Sequence, residues 1–422
     1  MKVALVNTHD AKGGAARAAM RLHHGLIAAG VDSHFWAQSV TGRNPAVRGP
    51  ASPRELVGAA LRPYVEDAMV RRWGGPVSTP WSAGLLPSRL HRAVRSGGFD
   101  AVNLHWTNAG FVSVGDIGRM PGPLVLTLHD LWAFTGGCHY PAACRRFEGA
   151  CGSCPQLGSS RDSDLSRRVH RAKTRHWSGR RDLCAVSPSA WLAREARASS
   201  LFRNHRVELI PNGIDVRAYA PRDRAAARQL LGLPADRTVI LFVEDSRVNP
   251  RKGFHLLEQA LRGCVGEEWV RTAMVAVVGR TSAPEIPGFP CEIRVLGRYA
   301  DDLSLSVAYS AVDVLAAPAV EEAFGLTLIE AMSCGVPVVA FRAGGPGEIV
   351  TDGTDGLLVA PGDVTELAGA LRVLAGDRAL RERLGDQARR TVEARFDIRL
   401  VAAAYQRLFS ELGGPAAPTS HD

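Results

Sequence analysis

The chain has 422 residues, 46% hydrophobic and 22% charged, with 51 Lys and Arg against 42 Asp and Glu, a formal charge of +9. That length is long for one core and comfortable for two, and the positive charge comes with no recognised nucleic-acid module, so no nucleic-acid partner is expected. No run of 18 apolar residues exists to span a bilayer, and the opening MKVALVNTHD is too short in apolar residues for a signal peptide, so a cytoplasmic enzyme is expected.

Along the chain, short apolar runs alternate with amphipathic stretches, which predicts doubly wound parallel sheets. VALVN is the first expected strand, and Lys12-Gly13-Gly14-Ala15-Ala16 follows it as a turn entering a helix. Gly13 and Gly14 let the backbone approach a ligand and adopt positive φ without a side-chain penalty. Ser52-Pro53 is a cap and first-turn signal that opens an addition reaching about residue 98. It carries Arg54, Arg62, Arg71 and Arg72 beside Leu56, Leu61, Val65 and Met69, and a second basic stretch runs through Arg167, Arg168, Arg171, Lys173, Arg175 and Arg180. Either stretch could lie on an anionic membrane surface or be an ordinary solvated helix face.

DAVNLHW and PLVLTLHD are the next strands, and the second delivers His129 and Asp130 at its end. Asp130 could orient His129 or cap the next turn. Trp106 and Trp132 flank strand ends; an indole face stacks on a sugar as readily as it packs a core. Cys138, Cys144, Cys151 and Cys154 fall within 17 residues and end in Cys-Gly-Ser-Cys. A structural tetrathiolate zinc, free thiols and a disulfide all remain open there, with no catalytic role for a metal. Cys184, Cys264, Cys291 and Cys334 are scattered and suit small buried positions. Asp162-Ser163-Asp164 lies in a polar stretch rather than after a strand, so it is not expected to hold a metal–diphosphate. LCAVSPS ends the strands of the first half.

After Pro211-Asn212-Gly213-Ile214-Asp215, the polar stretch PRDRAAARQLLGLPADR suggests a linker. TVILFVED, TAMVAVVG, IRVLG, DVLAAP, GVPVVAF and GLLVA then supply a second set of strands. Arg247 and Lys252-Gly253 follow the first of them, with Arg251 as a rival for the place of Arg247. Residues 316–342, AAPAVEEAFGLTLIEAMSCGVPVVAFR, are the most informative stretch. Phe324-Gly325-Leu326-Thr327 should turn a loop into a helix whose outward N–H groups suit a diphosphate. Glu322 and Glu330 flank that turn and would stand about 12 Å apart if all the residues between were helical; Glu321 should face solvent. Gly344-Gly345-Pro346-Gly347 raises an NAD(P)-dependent oxidoreductase, but G-x-G-x-x-G spacing and a later ribose acid are missing. DIRLVAAAYQRLF, from Asp397 as N-cap, is an amphipathic helix, and GGPAAPTSHD should be disordered. The expected divisions are 1–215, 216–396, 397–412 and 413–422.

Over about 350 residues and in this order, these signatures resemble the retaining glycosyltransferases of family 4. GGAARAAMRLHHGL, NLHW and LTLHDLWAFTGGCHY are most similar to the branch with colanic-acid-type exopolysaccharide transferases. The resemblance implies a GT-B architecture: two facing Rossmann-like domains, acceptor-binding then nucleotide-sugar-binding, and a final helix returning to the first. It implies donor contacts from Gly13, Gly14, Arg247, Lys252, Phe324, Gly325, Leu326 and Glu330, and catalytic contacts from His129, Glu322, Arg247 and Lys252. Glu322 would accept from hydroxyls of the transferred sugar and Glu330 from the ribose. The reaction implied is a front-face displacement without a catalytic metal or other cofactor. A UDP-sugar donor is expected, with a saccharide, lipid-linked saccharide, aminocyclitol or other natural product as acceptor, and Trp106 and Trp132 near it. A nucleotide-sugar-binding subunit without turnover is the alternative.

Overall fold

A computed structural model describes residues 1–41, 45–73, 79–244, 249–279 and 289–413. The chain forms two compact units, residues 1–211 with the chain from Arg399 onward, and residues 212–398. The first holds seven strands, β1 (Lys2–His9), β2 (Asp32–Ser39), β3 (Val47–Arg48), β4 (Ala101–Leu104), β5 (Leu124–Thr127), β6 (Leu183–Ser187) and β7 (Arg206–Leu209), in the order β3-β2-β1-β4-β5-β6-β7. Every pairing is parallel. All residues of β4, β5 and β6 are buried, as parallel strands covered on both faces require. Strand order reverses beside β1, with β2 on one side and β4 on the other. The helix Ile398–Gly413 buries Val401, Tyr405, Leu408 and Phe409, and Tyr405 Oη lies 3.0 Å from Thr127 Oγ1 on β5.

The second unit is a parallel six-stranded sheet of β8 (Val239–Val243), β9 (Met274–Val278), β10 (Glu292–Gly297), β11 (Val314–Ala317), β12 (Val338–Phe341) and β13 (Leu357–Val359). Its order is β10-β9-β8-β11-β12-β13, so the reversal falls between β8 and β11. Successive strand residues point to opposite faces. Leu241, Ala276, Leu315 and Val338 accordingly enter one core, and Ile240, Val275, Val314 and Val339 another.

Two expectations need correction. Residues 221–237 are not a linker: they include the helix Arg224–Leu231, whose Ala227 and Arg228 are buried. Arg228 meets the Asp313 carboxylate at 2.5 Å and donates to the carbonyls of Ala311 and Ala235, so an arginine-rich stretch hides a buried ion pair. The division between the units falls four residues before the expected one, after Pro211 rather than Asp215. The addition after Ser52 forms the helix Pro53–Trp73 behind a capping box: Glu55 N donates to Ser52 Oγ, and Glu55 Oε2 accepts from Ala51 N and Ser52 N. Residues 414–422, most of the expected tail, lie outside the described residues.

Candidate active site

In the second unit a pocket of about 380 Å³ opens at the carboxyl ends of β8 and β11, where the strand order reverses. Its lining includes Val243, Ala317, Lys252, Glu322, Gly325, Thr327 and Pro346. Gly325 has φ +114°, a conformation open to glycine, and starts the helix Leu326–Ser333, whose N-terminus no side chain of the described residues caps. Gly253, at φ +79°, would place a Cβ 1.8 Å from the Pro318 carbonyl oxygen; only glycine brings Lys252 so close to the end of β11. Gly345 N donates to Glu322 O at 2.9 Å, so the glycines after β12 support this pocket.

Lys252 Nζ donates to Glu322 Oε2 at 2.5 Å and Arg251 Nη1 approaches the same oxygen at 3.3 Å. Burial opposes ionisation of Glu322, but the ammonium and guanidinium outweigh it and hold the carboxyl at about 2. Glu321 does not face open solvent; it is half-buried, and its carbonyl accepts from Arg251 at 2.6 Å. Glu330 is buried one helical turn on and accepts from Tyr309 Oη at 2.7 Å. Burial, then the Glu330 charge, push the Tyr309 hydroxyl well above its ordinary value. Tyr309 carries no motif, and only the fold brings it to Glu330. The helix begins at Leu326, so the premise of a 12 Å helical span from Glu322 fails. Phe324 is buried edge-on against Phe396, centroids 5.8 Å apart, and supports the loop from behind. Leu326 is half-buried at the helix start. Arg247 lies outside the described residues.

In the first unit, Gly13 (φ +87°), His105, Trp106 and His129 stand past the carboxyl ends of β1, β4 and β5. His129 Nε2 lies 3.0 Å from His105 Nδ1, His105 Nε2 lies 3.2 Å from Asn103 Nδ2, and Thr127 Oγ1 donates to Asn103 Oδ1. Burial lowers His129 to about 4 and His105 well below its ordinary value, so both rings are neutral near pH 7. Asp130 does not orient His129. Its Oδ1 caps Trp132 N at 2.8 Å, while Oδ2 meets His139 Nδ1 at 2.6 Å and accepts from Trp106 Nε1 at 3.0 Å. His139, unanticipated, also reaches Ser82 Oγ at 3.0 Å. Trp106 is partly exposed and stacks on His9. Trp132 is no acceptor platform: it is buried, donates to Ser82 O, and has Lys173 over its ring at 3.8 Å. Lys173 itself is buried and leaves the basic surface expected of its helix.

Residues 12–218 match the family described as Glycosyltransferase Family 4, and residues 237–377 match Glycosyl transferases group 1. Phosphatidyl-myo-inositol mannosyltransferase of Mycobacterium leprae is 30% identical over 399 residues, 91% of this chain and 93% of that protein. The chain belongs to glycosyltransferase family 4. D-inositol 3-phosphate glycosyltransferase 2 of Catenulispora acidiphila is 36% identical over 221 residues, and the match spans 49% of this chain and 50% of that relative. Among solved structures, sucrose-phosphate synthase from Thermosynechococcus elongatus superposes with TM-score 0.69 at 22% identity, covering 98% of this glycosyltransferase and 99% of that chain. Anabaena HepE in complex with UDP-glucose gives 0.63 at 20% identity over 97% and 100%. The fold is GT-B. No helix among the described residues is long and apolar enough to cross a membrane.

Proposed function

We propose that this family 4 glycosyltransferase moves a hexosyl or N-acetylhexosaminyl unit, with retention, from a nucleotide-sugar, a UDP-sugar first, to an acceptor hydroxyl. The carrying observation is the pocket at the β8/β11 reversal, where an uncapped helix start, Lys252 and an ionised Glu322 meet. In this reading the donor diphosphate sits on the start of helix Leu326–Ser333. Lys252 transfers from Glu322 to the phosphate, which frees the carboxylate to accept from the sugar hydroxyls. Glu330, backed by Tyr309, accepts from the ribose.

As the bond from C1 to the diphosphate oxygen breaks, its electron pair stays on that oxygen, and the acceptor oxygen bonds to C1 on the same face. The acceptor proton passes to the departing phosphate oxygen. Charge on the diphosphate grows towards the transition state, so Lys252, with Arg247 or Arg251, stabilises that state more than the ground state. These cations and the helix start replace a divalent ion, and turnover continues in buffer free of Mg²⁺ and Mn²⁺. His129 contributes as a neutral hydrogen-bonding ring.

The relatives named above act on inositol phosphate and phosphatidylinositol, which favours a cyclitol or saccharide hydroxyl on a lipid anchor. The helix Pro53–Trp73 supports that choice, because Leu56, Val57, Leu61, Tyr64 and Val65 form one exposed apolar stripe with Arg54, Arg71 and Arg72 at its ends. Calorimetry with UDP-sugars, followed by UDP release in the presence of cyclitol and lipid-linked acceptors, tests the reading. Micromolar donor binding and an α-anomeric product from an α-linked donor are expected. A protein that binds no nucleotide-sugar, or a product of inverted anomeric configuration, would overturn it.

A further inference from the structure

Between β5 and the helix Leu165–Trp177, regular structure is limited to three 3-10 turns, Trp132–Phe134, Arg146–Glu148 and Pro155–Leu157. So long an irregular segment inside a compact unit needs something to hold it. Cys138, Cys144, Cys151 and Cys154, spaced C-x5-C-x6-C-x2-C, all line one pocket of about 290 Å³ within it. All four are free thiols.

Burial raises the Cys138, Cys151 and Cys154 thiols, so these sulfurs keep their protons until a cation displaces them, although polar donors already reach two of them. The Gly136 N–H is hydrogen-bonded to Cys151, and the N–H groups of Leu157 and Gln156 to Cys154. Such donors favour a charged acceptor. Lys173 stands beside them, fully buried, its Nζ donating to the carbonyls of Trp132 and Thr135. It forms no ion pair with a carboxylate among the described residues, and a buried ammonium without a counter-charge is costly. Cys138 and Cys151 face it together with Asp130, and Arg146 stands on the same pocket wall.

We propose that Cys138, Cys144, Cys151 and Cys154 bind one Zn²⁺ as a closed, structural tetrathiolate centre, with Lys173 and Arg146 as its counter-charges. Each sulfur loses its proton to solvent as its Zn–S bond forms, which leaves a centre of net charge −2 and changes no oxidation state. Among the described residues no three His, Cys, Asp or Glu side chains already stand ready to hold a metal ion, so the sulfurs must move to close on it. The centre would fix Cys138 and hence its neighbour His139, which Asp130 and Ser82 hold beside Trp106. The metal is thus a positioning element for that side of the first unit and takes no part in bond breaking.

The test is metal analysis of the full chain, prepared under reducing conditions with zinc supplied and then dialysed. One zinc per chain is expected, released by a mercurial reagent as four thiols titrate, with X-ray absorption giving four sulfurs at about 2.3 Å. C151S and C154S should lose the metal while C184S, whose thiol lies elsewhere, keeps it. The wild-type absorption spectrum decides the matter even if the variants do not fold. Sub-stoichiometric zinc, a first shell containing nitrogen or oxygen, or iron in place of zinc would each overturn the proposal.

Discussion

Lys252 and Glu322 form the most strongly determined pair in the donor pocket, at 2.5 Å with Arg251 alongside. Charge-assisted contacts of this kind contribute about 1.5–3 kcal/mol each. Lys252→Ala should therefore weaken UDP-sugar binding about 10–100-fold by calorimetry, and the Glu322 carboxyl should move up from about 2 towards the ordinary carboxylate range. Tyr309 tests the other end of the site. Tyr309→Phe removes a donor from the buried Glu330 carboxylate and should cost about 1–3 kcal/mol of stability. If Glu330 binds ribose in ground and transition states alike, the same variant should raise the donor KM and leave kcat within about twofold. A fall in kcat at unchanged KM would place Glu330 in the chemistry instead.

The helices and strands divide by how their side chains are spent. The stripe residues of the helix Pro53–Trp73 are 47–75% exposed, whereas Val70 and Glu66 point inward, with Gly84 N donating to Glu66 at 2.6 Å. Leu61→Glu with Tyr64→Glu should thus leave the denaturation midpoint nearly unchanged and abolish sedimentation with vesicles rich in anionic lipid. Sedimentation equal to wild type would remove the lipid surface from the proposal. The same contrast explains what was legible beforehand. Ten strands stand out as aliphatic runs, nine of them because most of their residues are buried; β10, an edge strand with no buried residue, shows only its Ile293, Val295 and Leu296. β2, DSHFWAQS, and β7, RVEL, do not, since their polar residues are tolerated by pairing with β1 and β6 rather than announced by hydropathy. Glu322, Gly325 and Lys252 were legible because a phosphate pocket at a strand reversal constrains local spacing. The partnership of His139 with Asp130 and Ser82, and of Glu330 with Tyr309, was not, because those contacts join residues up to 57 positions apart.

At the scale of the whole molecule, buried imidazoles are unevenly shared. His23, His129 and His170 are each lowered to about 4, chiefly by burial, and His105 lies well below its ordinary value; all four belong to the first unit. The second unit carries a single histidine, His255. A ring whose folded pKa lies below its unfolded value near 6.5 leaves the unfolded chain binding more protons between the two. The stability it supports is complete above about pH 6.5 and is lost as pH falls towards about 4. The three rings at about 4 contribute at most about 4 kcal/mol per pH unit between them. The matching window for Glu322 lies lower, from its unfolded value of 4.5 down to about 2, so the second unit holds its stability through the range in which the first loses it. Seven of the eight tryptophans lie in the first unit and only Trp269 in the second, which lets fluorescence follow the first unit almost alone. Between pH 7 and pH 5 the urea midpoint read by tryptophan fluorescence should fall sharply, while circular dichroism, which weights both sheets, should split into two transitions. Coincident transitions at pH 5, or a fluorescence midpoint that does not move, would show that the buried imidazoles do not set the acid limit of the first unit.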